Sequence, residues 1–225
     1  MKRILYHGSK NIIKQPVFGA GKIHNDYGNG FYCTEIKDLA MEWAVASDRD
    51  GYCNEYSFDD SGLKSLDLRS DEFSVLHWIT ILLQNRTFEL SSPLAKEAFK
   101  YLTENFSLNS DAYDVITGYR ADDSYFDFAN DFINGVISVR QLSLALKLGR
   151  LGSQYVLKSK AAFDRIEYSG NEMAESRIWY PRRDLRDRKA RKDYRDTDKI
   201  AFTKGDIYIV KIIEEEINAD DPRIR

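Results

Sequence analysis

The chain has only two cysteines, Cys33 and Cys53, in 225 residues. Two thiols make no disulfide framework, and their spacing matches no zinc motif. They read as two small buried hydrophobes in a reducing compartment. Excess charge is also lacking: 33 Lys and Arg stand against 36 Asp and Glu, a formal net charge of -3. That balance removes any global case for a polyanion partner. The longest apolar run, Trp78 to Leu83, is too short to cross a bilayer. No apolar run follows the basic residues Lys2 and Arg3, so no signal peptide is expected and the chain reads as cytoplasmic. The first loop lacks both common nucleotide motifs. Gly19-Ala20-Gly21-Lys22-Ile23 has neither the spacing nor the hydroxyl residue of a P-loop, and Gly28-Asn29-Gly30 lacks the third glycine of the dinucleotide fingerprint. No internal repeat or low-complexity linker is present.

The chain does have apolar and aromatic residues in quantity. A hydrophobic share of 43% with 13% aromatics places it among globular chains with one substantial core. Short strands are predicted over 3–7, 30–34, 56–58, 63–68, 114–118 and 153–158, with another over 164–168 and a last one from Ile207 to Ile213. Apolar spacing predicts helices over 35–47 (capped by Thr34 or Glu35), 71–85, 92–104, 124–132 and 138–147. Ser138 with Gln141 three residues on reads as a capping box. Strands and helices do not alternate regularly, so the fold class is α+β. Residues 1–169 form one domain with a helical insert at about 71–148. A composition change at Ser169-Gly170 marks off 170–225, a charged helix and terminal strand packed on the same domain.

Three short segments carry the chemistry: Tyr6-His7-Gly8-Ser9, Asp26-Tyr27-Gly28-Asn29-Gly30-Phe31-Tyr32, and Gly152-Ser153-Gln154-Tyr155. Together they supply what a nicotinamide riboside needs. A flat ring asks for an aromatic partner, which Tyr32 offers. A carboxamide asks for close backbone approach, which Gly8 permits. Ribose hydroxyls ask for polar side chains, and His7 and Gln154 stand at strand ends. Cleaving the bond to nicotinamide develops positive charge on the sugar, as in glycoside hydrolysis. Packed ring and core aromatic are the plainer readings of His7 and Tyr32, and the flanking glycines favour the ligand.

These segments resemble the core motifs of ADP-ribosyltransferases of the diphtheria-toxin and poly-ADP-ribose-polymerase branch. The whole chain more closely resembles a bacterial family known as domain of unknown function 3990. Its hallmarks here are the Asp26–Tyr32 block, the block Gly118-Tyr119-Arg120-Ala121-Asp122-Asp123-Ser124-Tyr125-Phe126, and Leu148-Gly149 through Gln154. The resemblance implies a core of two small facing β-sheets with inserted helices, and NAD as co-substrate. It implies NAD contacts from His7, Gly8, Ser9, Tyr27, Gly30, Tyr32 and Arg120, and catalytic roles for His7, Tyr32, Gln154, Asp122 and Asp123. The activity implied is transfer of a single ADP-ribose to a protein or nucleic acid, in a toxin-like effector with a neutralising antitoxin partner.

One departure matters. Better-known transferases carry Glu where this chain has Gln154. An amide oxygen still accepts a hydroxyl's bond but carries no charge and cannot act as a base. NAD hydrolysis and NAD binding without chemistry therefore stay open beside transfer. Arg120 suits the NAD pyrophosphate, and Asp122 or Asp123 an acceptor. Equally, one aspartate caps the next helix and the other pairs with Arg120. The segment Arg182–Lys199 is locally basic, fit for nucleic acid or an acidic protein. Its interleaved aspartates fit a solvated, ion-paired helix better.

Overall fold

The computed structural model describes residues 2–120, 123–147, 152–196 and 201–224, without the side chains of 123–125. Asp122 and the Asp123 side chain lie outside the described residues, as does the 148–151 part of the third hallmark. The architecture is α+β, with two small sheets and several helices. Strands β1 (Lys2–Ser9), β3 (Gly51–Asp59) and β7 (Ile166–Ala174) form an antiparallel sheet in the order β1-β3-β7. Strands β2 (Phe31–Cys33), β6 (Ser153–Leu157), β5 (Val115–Tyr119) and β4 (Ser65–Asp67) form a second sheet in the order β2-β6-β5-β4. β4 and β5 run parallel.

Side-chain alternation makes the second sheet a middle layer. Val115, Tyr155 and Leu157 cluster with Leu5, Tyr56 and Phe58 of the first sheet. Their neighbours Ile116 and Val156 face the other way, into a cluster with Trp78, Phe128 and Phe132. Burial on both faces is why Val115-Ile116 of β5 and Tyr155-Val156-Leu157 of β6 are consecutive apolar residues and do not alternate with polar ones. The sheets are tied together where Tyr6 and Thr34 exchange backbone hydrogen bonds of 2.7 and 2.9 Å.

Helices cover the outer face: α2 (Val75–Asn85), α3 (Pro93–Asn105), α4 (Asp123–Ile133) and α5 (Val139–Ala145). Their starts follow cap chemistry. The Ser138–Gln141 capping box forms as expected. Ser92 caps α3. The first of these helices begins at Val75 and not near Asp71, because Ser74 and His77 form a capping box there. Helix α1 (Lys37–Ala44) has Ile36 at its N-cap with no side-chain cap. Neither Thr34 nor Glu35 caps it: Glu35 is drawn to Arg3 and Tyr155 at 3.0 Å each.

Two boundaries differ from expectation. Ile207–Ile213 is no strand, since helix α8 spans Ile209–Glu214. The β-branched run favours a strand locally, but Ile209 and Ile212 lie one helical turn apart and are both fully buried, so packing overrides propensity. The strand expected to end at 168 also continues, past Ser169-Gly170. β7 runs straight through them along β3, with a register irregularity opposite Glu55 and Tyr56. Cys33 and Cys53 are both buried free thiols. Among the described residues no helix is long and apolar enough to cross a membrane.

A single-turn helix α6 (Lys160–Phe163) precedes β7, and the charged segment as far as Arg195 lies in helix α7 (Ser176–Arg195), its residues 197–199 being outside the described residues. Ion pairs one turn apart lace it, Arg188–Asp184 at 2.5 Å, Lys189–Asp193 at 2.6 Å and Arg191–Asp187 at 3.1 Å. Arg186 reaches out to α1 and grips Glu42 with Nη2 at 2.7 Å and Nε at 2.9 Å. Glu42 is 3% exposed at its side chain. Removing the guanidinium strands that carboxylate in the core. Arg186→Ala should therefore lose about 3 kcal/mol in urea unfolding, and a Glu42→Leu/Arg186→Met pair should regain most of it.

Candidate functional site

The seam between the two sheets opens into a cleft of about 900 Å³. β1 brings His7, Gly8 and Ser9 to it, β2 brings Phe31 and Tyr32, and the first residues of β6 bring Gln154. Gly30 and Arg120 line it as well. Residues spread from 7 to 154 are thus gathered at one place. Tyr27 is not among them. It is fully buried, with its hydroxyl donating to the Tyr119 carbonyl at 2.5 Å.

His7 is fixed from both sides. Its ring stacks on Phe31 at 4.3 Å, and Nδ1 donates to the Tyr32 carbonyl at 2.7 Å. A carbonyl can only accept, so Nδ1 carries the proton and Nε2 is left as an acceptor. Burial pushes the imidazole below its ordinary value of 6.5, which keeps it neutral near pH 7. The sign for stability follows. Below about 6.5 the unfolded chain takes a proton that the folded ring refuses, so stability falls with pH until the folded ring also titrates. The thermal midpoint of the wild type should drop between about pH 7.5 and about pH 5.5 by more than that of His7→Asn, which has no imidazole there. Equal drops in a calorimetric pH series would sink this.

Tyr32 is held by its hydroxyl, which donates to the Gly28 carbonyl at 2.6 Å and accepts from the Tyr27 amide at 3.0 Å. Burial raises the phenol well above its usual range. It is a fixed ring, not an acid or base. Ser9 serves the loop above the cleft: its hydroxyl donates to Asn11 at 2.6 Å and accepts from Asn54 at 3.0 Å. Asn54, fully buried, also accepts from the Ile13 amide at 2.8 Å and so pins that loop.

Gln154 is 5% exposed. Its Nε2 approaches Asp26 Oδ2 at 3.5 Å, and its Oε1 is buried with no hydrogen-bond partner among the described residues. Such an orphan acceptor is costly and rare.

Four lining residues with local consequence were not foreseen: Asp26, Trp43, Arg86 and Arg183. Arg120 lies over the Trp43 ring at 4.4 Å. Arg86 approaches Asp26 at 3.5 Å from the C-cap of α2. With Lys10, Lys22 and Arg183, these arginines set five cationic side chains against a single carboxylate, Asp26, among the described lining residues. The cleft is electropositive in a chain whose overall charge is slightly negative, and it favours an anionic ligand. Among the described residues no group of three His, Cys, Asp or Glu side chains could hold a metal ion.

The family model described as "Protein of unknown function (DUF3990)" matches residues 3–168, so the chain belongs to that family. Comparison with curated proteins and with solved structures gave no match.

Proposed function

We propose that this member of the DUF3990 family binds NAD in the cleft and transfers ADP-ribose to a macromolecular acceptor, on an ADP-ribosyltransferase-like core. The observation that carries the reading is the orphaned Oε1 of Gln154 at the base of a cationic cleft. A ribose 2′-hydroxyl is a donor of the size and polarity that this oxygen lacks. His7 Nε2 accepts from a neighbouring hydroxyl, the Tyr32 ring stacks on nicotinamide, and Arg120 with the surrounding cations holds the pyrophosphate. Asp122 or Asp123 activates the acceptor. An acceptor inside a bacterial cell makes the protein a toxin-like effector, with an antitoxin as its natural partner.

The test is incubation of the purified protein with adenylate-labelled NAD and bacterial lysate. Transfer of label to protein or nucleic acid supports the transferase and names the acceptor class. Free ADP-ribose without transfer replaces it by a glycohydrolase using the same cleft. NAD bound without nicotinamide release replaces it by a binding module, and no NAD binding at all removes the reading.

A further inference from the structure

Gln154 leaves the proposed chemistry short of one thing, a negative charge beside the ribose. We infer that Asp26 supplies it, as the catalytic carboxylate of this site; the inference rests on the NAD reading above. Asp26 lines the cleft and is 3% exposed. A carboxylate this deep is expensive to bury. Its surroundings suit a charged form: Arg86 Nη1 stands 3.5 Å from Oδ1, and Gln154 Nε2 stands 3.5 Å from Oδ2. Both contacts are at the outer limit of hydrogen bonding.

Asp26 also settles which way the Gln154 amide faces. An ionised carboxylate only accepts, so the NH2 must point at it. The orphaned Oε1 is thereby turned from the carboxylate and presented to a donor. Charge and acceptor then lie side by side: Gln154 Oε1 takes the 2′-hydroxyl, and Asp26 faces the same sugar. The pair divides between two side chains what one glutamate does alone.

The bond between ribose C1′ and the nicotinamide nitrogen breaks, and its electron pair goes to that nitrogen, discharging the pyridinium. Positive charge moves onto the sugar, where the Asp26 carboxylate stabilises it. The acceptor's nucleophilic atom bonds to C1′ from the opposite face, and its proton passes to a carboxylate and then to water.

The experiment compares wild type, Asp26→Asn, Gln154→Glu and Asp26→Asn/Gln154→Glu, each with NAD. Binding is read by calorimetry and nicotinamide release by chromatography. Asp26→Asn is nearly isosteric and should bind NAD within about threefold of wild type while releasing nicotinamide about 10²-fold more slowly. The double variant returns a charge to the neighbouring side chain and should recover at least about tenfold of that loss. A structural role for Asp26 would not move kcat alone, nor be rescued this way. Asp26→Asn that binds NAD and turns over at the wild-type rate overturns the inference and leaves the proposed function standing. If Asp26→Asn fails to fold, the double variant decides: release supports the inference, and a folded, NAD-binding but silent double variant overturns it. A wild type that binds no NAD, or releases no nicotinamide, removes the proposed activity itself and this inference with it.

Discussion

Replacing His7 by asparagine should slow nicotinamide release about 10²-fold while leaving the protein folded. The two ring nitrogens do different work, and asparagine separates them. Nδ1 donates to the Tyr32 carbonyl at 2.7 Å and helps to tie β1 to β2. The asparagine amide reaches that carbonyl and keeps the bond. Nothing in asparagine reaches the place of Nε2, so the acceptor offered to a ribose hydroxyl is lost. On the proposed reading the sugar then loses one of its fixed contacts, and loose positioning at the reacting carbon costs far more than one neutral hydrogen bond. His7→Ala removes both nitrogens and the stack on Phe31 at 4.3 Å, so it should also lose about 1–2 kcal/mol of stability. Thermal melts beside release assays distinguish the two. A His7→Asn protein that releases nicotinamide at the wild-type rate would show that the imidazole only packs.

How much of this was legible beforehand depends on how far apart the partners lie in the chain. Ser138 and Gln141 are three residues apart, and their capping box is readable because its parts are local. His7, Tyr32 and Gln154 are far apart, yet each stands in a short motif of glycines and aromatics at a strand end, and the structure places all three on one cleft. Arg86 has no such context. It follows the last turn of α2, and only the tertiary fold brings it to Asp26. Asp26 stood inside a quoted motif, but its burial against Gln154 depends on β6 lying beside β2. The last helix departs from expectation for a related reason. Ile207–Ile213 has strand propensity, and what turned it helical was the pocket its isoleucines fill. Tyr27 shows the limit of motif reading: it shares a segment with Tyr32, yet it serves the core, donating to Tyr119 at 2.5 Å.

Gly8 also has a reason for being glycine that the ligand does not explain. Helix α1 lies directly on the first sheet, and a Cβ at Gly8 would overlap the Ala40 carbonyl oxygen and crowd Ala44 N at 2.8 Å and Trp43 Cβ at 2.9 Å. These are mostly backbone atoms, which cannot swing aside as a side chain can. Gly51 on the adjacent strand meets the Ala44 carbonyl in the same way, with Ser9 O at 2.8 Å. Two bare strand positions therefore let the helix sit this close, and α1 carries both Trp43 toward the cleft and Glu42 toward Arg186. Gly8→Ala must push the helix off the sheet, which should destabilise the protein by about 3 kcal/mol. Gly170→Ala is the control. Its Cβ meets nothing within 4 Å, and it should change stability by no more than about 0.5 kcal/mol. Urea midpoints for the two variants test the difference; equal midpoints would mean that α1 is free to shift. Because Trp43 moves with α1 and Gly8 itself lines the cleft, Gly8→Ala protein that remains folded should also bind NAD more weakly.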